Sequence, residues 1–198
     1  MIFECMKLNM DVKDEEFNLI YPEGLRNLAT RHWTPIAIAK QAAEFLTDSP
    51  GANVLDIGSG AGKFCLIGAA YTKGHFTGVE YREYLCRLCN HITDCHHLHN
   101  VKFIHSNITK INFRKYNAFY FFNSFHENID SSAAIDNSVA LGLDLYTLYF
   151  QYVHEQLDEM PVGTRLATYW ATLSQIPPTY KLLSTSFNGL LKMWVKTS

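Results

Sequence analysis

The chain has 198 residues, of which 47% are hydrophobic and 18% charged, with a formal net charge of −2 and a pI near 6.5. This length supports one domain with a sizeable core, and the balance is globular rather than fibrous or disordered. The slight acidity leaves no strong basic footprint for a nucleic-acid partner, and no apolar run reaches a membrane span: Leu141 to Val153 is too short and contains Asp144.

Met1 to Tyr21 reads as polar and mixed. Glu4, Lys7, Asp11 and Lys13 interrupt its apolar residues, so it does not read as a signal peptide, and a cytoplasmic location is the expectation. Glu23 to Arg31 reads as a short helix. Thr34-Pro35 starts a longer one, because threonine can cap and proline suits a first helical turn. Ile36, Ala39, Ala43 and Leu46 line one face of that helix, which stops before Ser49-Pro50-Gly51. Asn53 to Ile57 then reads as a strand covered on both faces. It breaks into Gly58-Ser59-Gly60-Ala61-Gly62, where the glycines allow a tight turn and present N–H groups at the start of a helix over Lys63 to Tyr71.

His75 to Glu80 is the second strand, Arg82 to His99 a helix, and Val101 to Ser106 the third strand. Thr109 to Tyr116 is too short for a full helix. Ala118 to Asn123 is an aromatic fourth strand, Ser124 to Asn137 a polar loop, and Ser138 to Leu157 a long helix. Thr164 to Trp170 is the fifth strand. Tyr180 to Phe187 and Leu190 to Lys196 form a hairpin on a two-residue Asn188-Gly189 turn. The alternation predicts an α/β, doubly wound, mainly parallel sheet with a C-terminal antiparallel hairpin and helices on both faces.

The glycine spacing separates three cofactor classes. A phosphate loop of the Walker type needs a glycine at position 57 and a hydroxyl at 64, which are Ile57 and Phe64. The dinucleotide fingerprint needs a glycine at 63, which is Lys63. What remains is Asp56-x-Gly58-x-Gly60-x-Gly62. Glu80 ends the next strand about twenty residues on, the distance at which such folds place a ribose-binding acid.

This pattern resembles the first motif of the class I, seven-stranded S-adenosylmethionine-dependent methyltransferases. The resemblance covers residues 35–198, leaving 1–34 as an N-terminal cover. It implies S-adenosyl-L-methionine as cofactor and S-adenosyl-L-homocysteine as product. Asp56 would accept from the methionine ammonium, with Gly58, Ser59, Gly60 and Gly62 passing alongside. Glu80 and Tyr81 would meet the ribose. Ser106, Asn107 and Ile108 would meet the adenine, with Asn107 replacing the family's usual acid. The segment Arg31 to Thr34, Thr34 in particular, would face the methionine carboxylate.

Asn123-Ser124-Phe125-His126-Glu127 sits where the family carries its acceptor motif. It is similar to the Asn-Pro-Pro-aromatic element of amino-group methyltransferases and to the Asn-Asn-Phe element of non-SET lysine methyltransferases. Asn123 would orient the acceptor nitrogen and border the cofactor, Phe125 would pack over that nitrogen, and His126 or Glu127 would take a proton. Ser124 departs from the proline motif and frees the backbone there. Nitrogen methylation of a protein amine or small molecule is the leading expectation. O- or S-methylation of a small molecule, and a catalytically silent binding protein, are the alternatives. Oligomeric state is not readable.

Cys86, Cys89 and Cys95 with His91, His96, His97 and His99 offer zinc-ligand types. Leu85, Leu88 and Ile92 at helical spacing instead make Cys86 and Cys89 small core residues, with thiols reduced. The expectation is a helix and no metal.

Overall fold

The computed structural model describes residues 2–198. Seven strands form one sheet: β1 (Asn53–Ile57), β2 (His75–Glu80), β3 (Val101–His105), β4 (Ala118–Phe121), β5 (Arg165–Tyr169), β6 (Tyr180–Ser186) and β7 (Leu191–Lys196). Their order is β3-β2-β1-β4-β5-β7-β6. The first five are mutually parallel and β7 runs antiparallel to both β5 and β6. The chain winds outward in opposite directions from β1 and β4. The crevice beyond their carboxyl ends is therefore the switch point at which open parallel sheets bind ligands.

Successive residues of the central strands point to opposite faces, and both faces are covered. Val54, Phe76, Tyr120 and Ala167 pack on one side with α5 (Ile36–Leu46) and α6 (Lys63–Tyr71). Leu55, Ile57, Val79, Phe119 and Phe121 pack on the other with α8 (Leu143–Asp158). The helix α7 (Glu83–Cys95) buries Leu85, Cys86, Cys89 and Ile92, the face its apolar spacing predicts.

The N-terminal region differs from the polar segment expected. It forms α1 (Ile2–Lys7) and α2 (Asp14–Asn18), and Phe3, Met6, Phe17 and Tyr21 are among the most buried side chains of the protein. The helix expected over 23–31 is two single-turn pieces, α3 (Glu23–Arg26) and α4 (Ala29–His32). The long helix expected from Ser138 begins at Leu143, and the chain before it runs through isolated 3₁₀ turns at His126–Asn128 and Ser131–Ala133. The final hairpin closes through four residues rather than two. Phe187, Asn188 and Gly189 all take positive φ, and Leu190 N–H bonds Phe187 C=O at 3.1 Å. No helix among the described residues is long and apolar enough to cross a membrane.

Candidate cofactor and active site

A cavity of about 730 Å³ lies beyond the carboxyl ends of β1, β2 and β4, roofed by residues 28–35 on one side and 123–141 on the other. The turn after β1 forms its floor. Gly58 has φ +74°, and a Cβ there would fall 2.5 Å from the Cβ of Ser124, whose hydroxyl donates to the Ile57 carbonyl. The turn and the loop after β4 thus touch backbone to side chain, which only a residue without a Cβ permits.

Three of the turn's N–H groups are bonded within the protein. Ser59 N–H bonds Val79 C=O at 2.8 Å, Gly62 N–H bonds Ser59 C=O at 2.8 Å, and Gly60 N–H bonds Glu80 Oε2 at 2.9 Å. The Ser59 hydroxyl is buried and, among the described residues, has no partner.

Asp56 is buried, and the Cys65 thiol donates to its Oδ2 at 3.4 Å. Burial pushes its pKa up to about 7, opposed by that thiol and reinforced by the negative charge of Glu80. Glu80 is buried as well. Its Oε2 accepts from Gly60 N–H and its Oε1 from Arg82 N–H at 2.7 Å. A carboxylate offers about four lone-pair sites, so each oxygen keeps capacity for a further donor. Desolvation raises the Glu80 pKa while the two N–H groups and the Arg82 charge pull it back.

Arg82 is the residue that sequence reasoning missed. It is 3% exposed and grips Glu127 through two bonds of 2.8 Å and Asp136 through one of 3.0 Å, with Glu80 4.0 Å away. Burial works against its charge, but the hydrogen bonds and charges of these carboxylates hold the pKa above its ordinary value. Glu127 is therefore an anchor of the loop. Its oxygens are committed to Arg82, and Oε2 also accepts from Ile135 N–H at 3.3 Å. No sequence signal links Arg82 to partners 45 and 54 residues away.

The cover is held in two places. Lys63, 4% exposed, pairs with Asp14 and donates to Asn18 Oδ1 at 2.9 Å, while Asp14 also accepts from Ile36 N–H at 3.1 Å. One carboxylate thereby serves the N-terminal ends of both α5 and α6. At the rim, Arg31 donates to Ser132 C=O at 2.5 Å and lies 3.5 Å from Asp130 Oδ2, joining the two halves of the roof.

The remaining expected site residues fall as follows. Thr34 is buried and shares a 2.8 Å hydrogen bond with the Tyr120 hydroxyl. Tyr81 is half exposed on the wall of the cavity. Ser106, Asn107 and Ile108 line it together, but the Asn107 side-chain oxygen accepts from Thr109 N–H at 3.0 Å and Thr109 Oγ1 at 2.9 Å, while its amide donates to the Tyr149 hydroxyl at 3.1 Å. Asn123 faces the cavity with φ +41°, a conformation asparagine tolerates better than most residues, and its carbonyl accepts from His126 N–H at 3.1 Å. Phe125 is buried between Phe121 and Tyr149, at ring distances of 5.7 and 5.5 Å. His126 is partly exposed, its Nε2 3.7 Å from Asp130. His32, on the opposite wall, has its pKa lowered by burial, opposed by the nearby Glu127. Among the described residues no group of three or more His, Cys, Asp or Glu is placed to hold a metal.

A family model described as a methyltransferase domain matches residues 48–157, more than half of the chain. The chain belongs to this methyltransferase domain family. No curated protein sequence matches it. This methyltransferase-domain protein is similar in fold to TrmN from Thermus thermophilus, with 17% identity, a TM-score of 0.58 and coverage of 88% of this chain and 52% of that one. It is likewise similar to an RNA methyltransferase from Salinibacter ruber in complex with S-adenosyl-L-homocysteine, with 13% identity, a TM-score of 0.57 and coverage of 83% and 94%. The cyclase SpnF matches with 17% identity, a TM-score of 0.52 and coverage of 67% and 43%. The chain thus spans about half the length of the TrmN chain and less of the cyclase, and at these identities the likeness is one of fold.

Proposed function

We propose that this chain binds S-adenosyl-L-methionine in the switch-point cavity and methylates an amine nitrogen of an acceptor held against Asn123. One observation carries the reading: two buried carboxylates, Asp56 and Glu80, end adjacent parallel strands in a single cavity that also contains the acceptor loop. The residues fit the cofactor on physical grounds. Glu80 retains lone pairs for two ribose hydroxyls, a ligand cation beside Asp56 would favour the ionised form of a carboxyl that burial holds at about 7, and the Ser59 hydroxyl lacks a partner among the described residues.

The sulfonium of the bound cofactor would supply an activated methyl group. The protein's part is alignment and exclusion of water, effects worth on the order of 7–11 kcal/mol in well-oriented cases. Asn123 supports this through its side-chain amide oxygen, which can accept from an acceptor N–H and so aim the lone pair. Glu127 is tied to Arg82, which leaves His32 and His126 as the groups able to take a proton. Burial keeps His32 neutral at pH 7, the form a base requires.

An amine suits the electrostatics better than a polyanionic acceptor. The cavity lining has five acids (Asp14, Glu15, Asp56, Glu80, Glu127) against three arginine or lysine cations (Arg31, Lys63, Arg82), and all three cations are already paired with carboxylates. Nucleic-acid binding relies on unpaired cations directed at phosphates.

The test is transfer of a labelled methyl group from the cofactor to panels of free amines, lysine peptides, carboxylates, thiols and RNA. Asn123→Ala is expected to leave S-adenosyl-L-homocysteine affinity within about twofold and to lower turnover on the amine at least tenfold, a loss equivalent to about 1.4 kcal/mol. Labelling of RNA or a carboxylate in preference to every amine refutes the nitrogen assignment. Tight binding with no transfer to any class makes the chain a binding protein.

A further inference from the structure

The carboxyl ends of β4 and β5 share an irregularity that the cofactor reading does not use. Asn123 and Trp170 both adopt left-handed backbone, with φ +41° and +56°. The β4–β5 ladder ends where Phe121 pairs with Thr168, and just beyond it the Phe122 ring meets that of Tyr169. Such a conformation is tolerable for asparagine but is an outlier for a bulky aromatic residue, which persists only where the surroundings enforce it. Here they do. Trp170 N–H bonds Leu190 C=O at 3.1 Å, and the Lys192 ammonium holds the Ala171 carbonyl at 3.1 Å.

The result is an indole displayed at the cavity wall rather than packed away. Trp170 is 56% exposed, whereas the two other tryptophans, Trp33 and Trp194, are each 6% exposed. Tyr169 stands edge-on to it at 6.4 Å, and Phe122 packs against Tyr169 at 4.7 Å. All three aromatics line the cavity next to Asn123. Aromatic faces attract organic cations, most strongly when the indole takes part. Two cations of the protein are already engaged: Arg31 on the roof is held by Ser132 and Asp130, and Lys192 by the Ala171 carbonyl.

We propose that Phe122, Tyr169 and Trp170 form the seat for the acceptor, and that the group they select is an alkylammonium, which passes one proton to His32 or His126 before its neutral nitrogen takes the methyl group. Trp170 is then a specificity-determining residue. The proposal deepens the nitrogen-methylation reading and rests on it for the acceptor's identity, but the seat can be probed without turnover.

The probe is choline, set against its uncharged carbon isostere dimethylbutanol, titrated into protein saturated with S-adenosyl-L-homocysteine. The indole N–H signals are followed by NMR, and Trp170 is assigned from its loss in Trp170→Phe. Choline is expected to shift the Trp170 signal saturably, with the isostere at least tenfold weaker. Equal responses to the two compounds, or a shift confined to Trp33 or Trp194, overturn the proposal. Trp170→Gly suits the left-handed backbone and should fold. It is expected to keep S-adenosyl-L-homocysteine affinity within about twofold and to lose the choline response. Loss of both binding events would make Trp170 a structural residue and overturn the proposal. If the wild-type protein takes up choline at Trp170 but not S-adenosyl-L-homocysteine, the seat stands and the cofactor reading falls. Transfer to putrescine but not to a lysine peptide places the ammonium on a free amine, and the reverse places it on a side chain. Transfer only to a thiol or hydroxyl acceptor overturns the proposal.

Discussion

The proposed place of Asp56 beside the ligand ammonium predicts a cofactor affinity that depends on pH. Its carboxyl is held at about 7, against an ordinary 3.8, because burial penalises the charge. A ligand ammonium at that position favours the ionised form, so below pH 7 binding must first expel a proton. With the free group titrating at about 7, affinity for S-adenosyl-L-homocysteine should be about tenfold weaker at pH 6 than at pH 8, or about 1.4 kcal/mol. Calorimetry in two buffers of different ionisation enthalpy should find close to one proton released per ligand at pH 6 and almost none at pH 8. The same group acts on stability with a definite sign. A folded-state pKa raised above the unfolded value contributes stability that is fully present below about pH 3.8 and is lost as pH rises through about 7, at most about 4 kcal/mol. Asp56→Asn, which cannot ionise, should therefore melt above the wild-type protein at pH 8, with the gap closing toward pH 5, and should bind ligand weakly with no pH slope. A flat wild-type affinity profile with no proton release would refute the assignment of Asp56 to a cation.

Glu80→Gln should lower S-adenosyl-L-homocysteine affinity by roughly 10- to 100-fold, the loss of about 1.5–3 kcal/mol for hydrogen bonds to a charged group, while an analogue lacking the ribose hydroxyls should bind both proteins alike. Arg82→Ala strands the buried carboxylates of Glu80 and Glu127 and should cost about 3–5 kcal/mol in urea unfolding; Arg82→Lys should recover only part, because an ammonium cannot reproduce the two-pronged grip on Glu127.

The sheet was legible because its signals are local. Covered strands read as short apolar runs, the glycines after Ile57 mark the turn, and Glu80 falls at a set distance beyond them. Much of the site is non-local. The helices of the N-terminal segment are not legible because α1 and α2 are too short to show a period, and Phe3, Met6, Phe17 and Tyr21 meet only once the chain has folded. Nothing local in the sequence marks Arg82 or Lys63, since their carboxylate partners lie tens of residues away. Glu127 looked like a proton acceptor from its place beside Asn123, and only the fold reveals Arg82 lying across it. Asn107 illustrates the ambiguity of turn residues: the side-chain oxygen that could meet an adenine also caps the 3₁₀ turn at Ile108–Lys110.

The docking of α2 onto the starts of α5 and α6 divides the rim of the cavity into two unlike halves. Asp14 is bonded to both helices, and the Phe17 and Trp33 rings stand 5.6 and 5.9 Å from the Lys63 ammonium, so displacing this half disturbs core packing. The span from His126 to Leu141 is fastened by polar ties at Arg31 and Arg82, so displacing that half breaks hydrogen bonds and ion pairs instead.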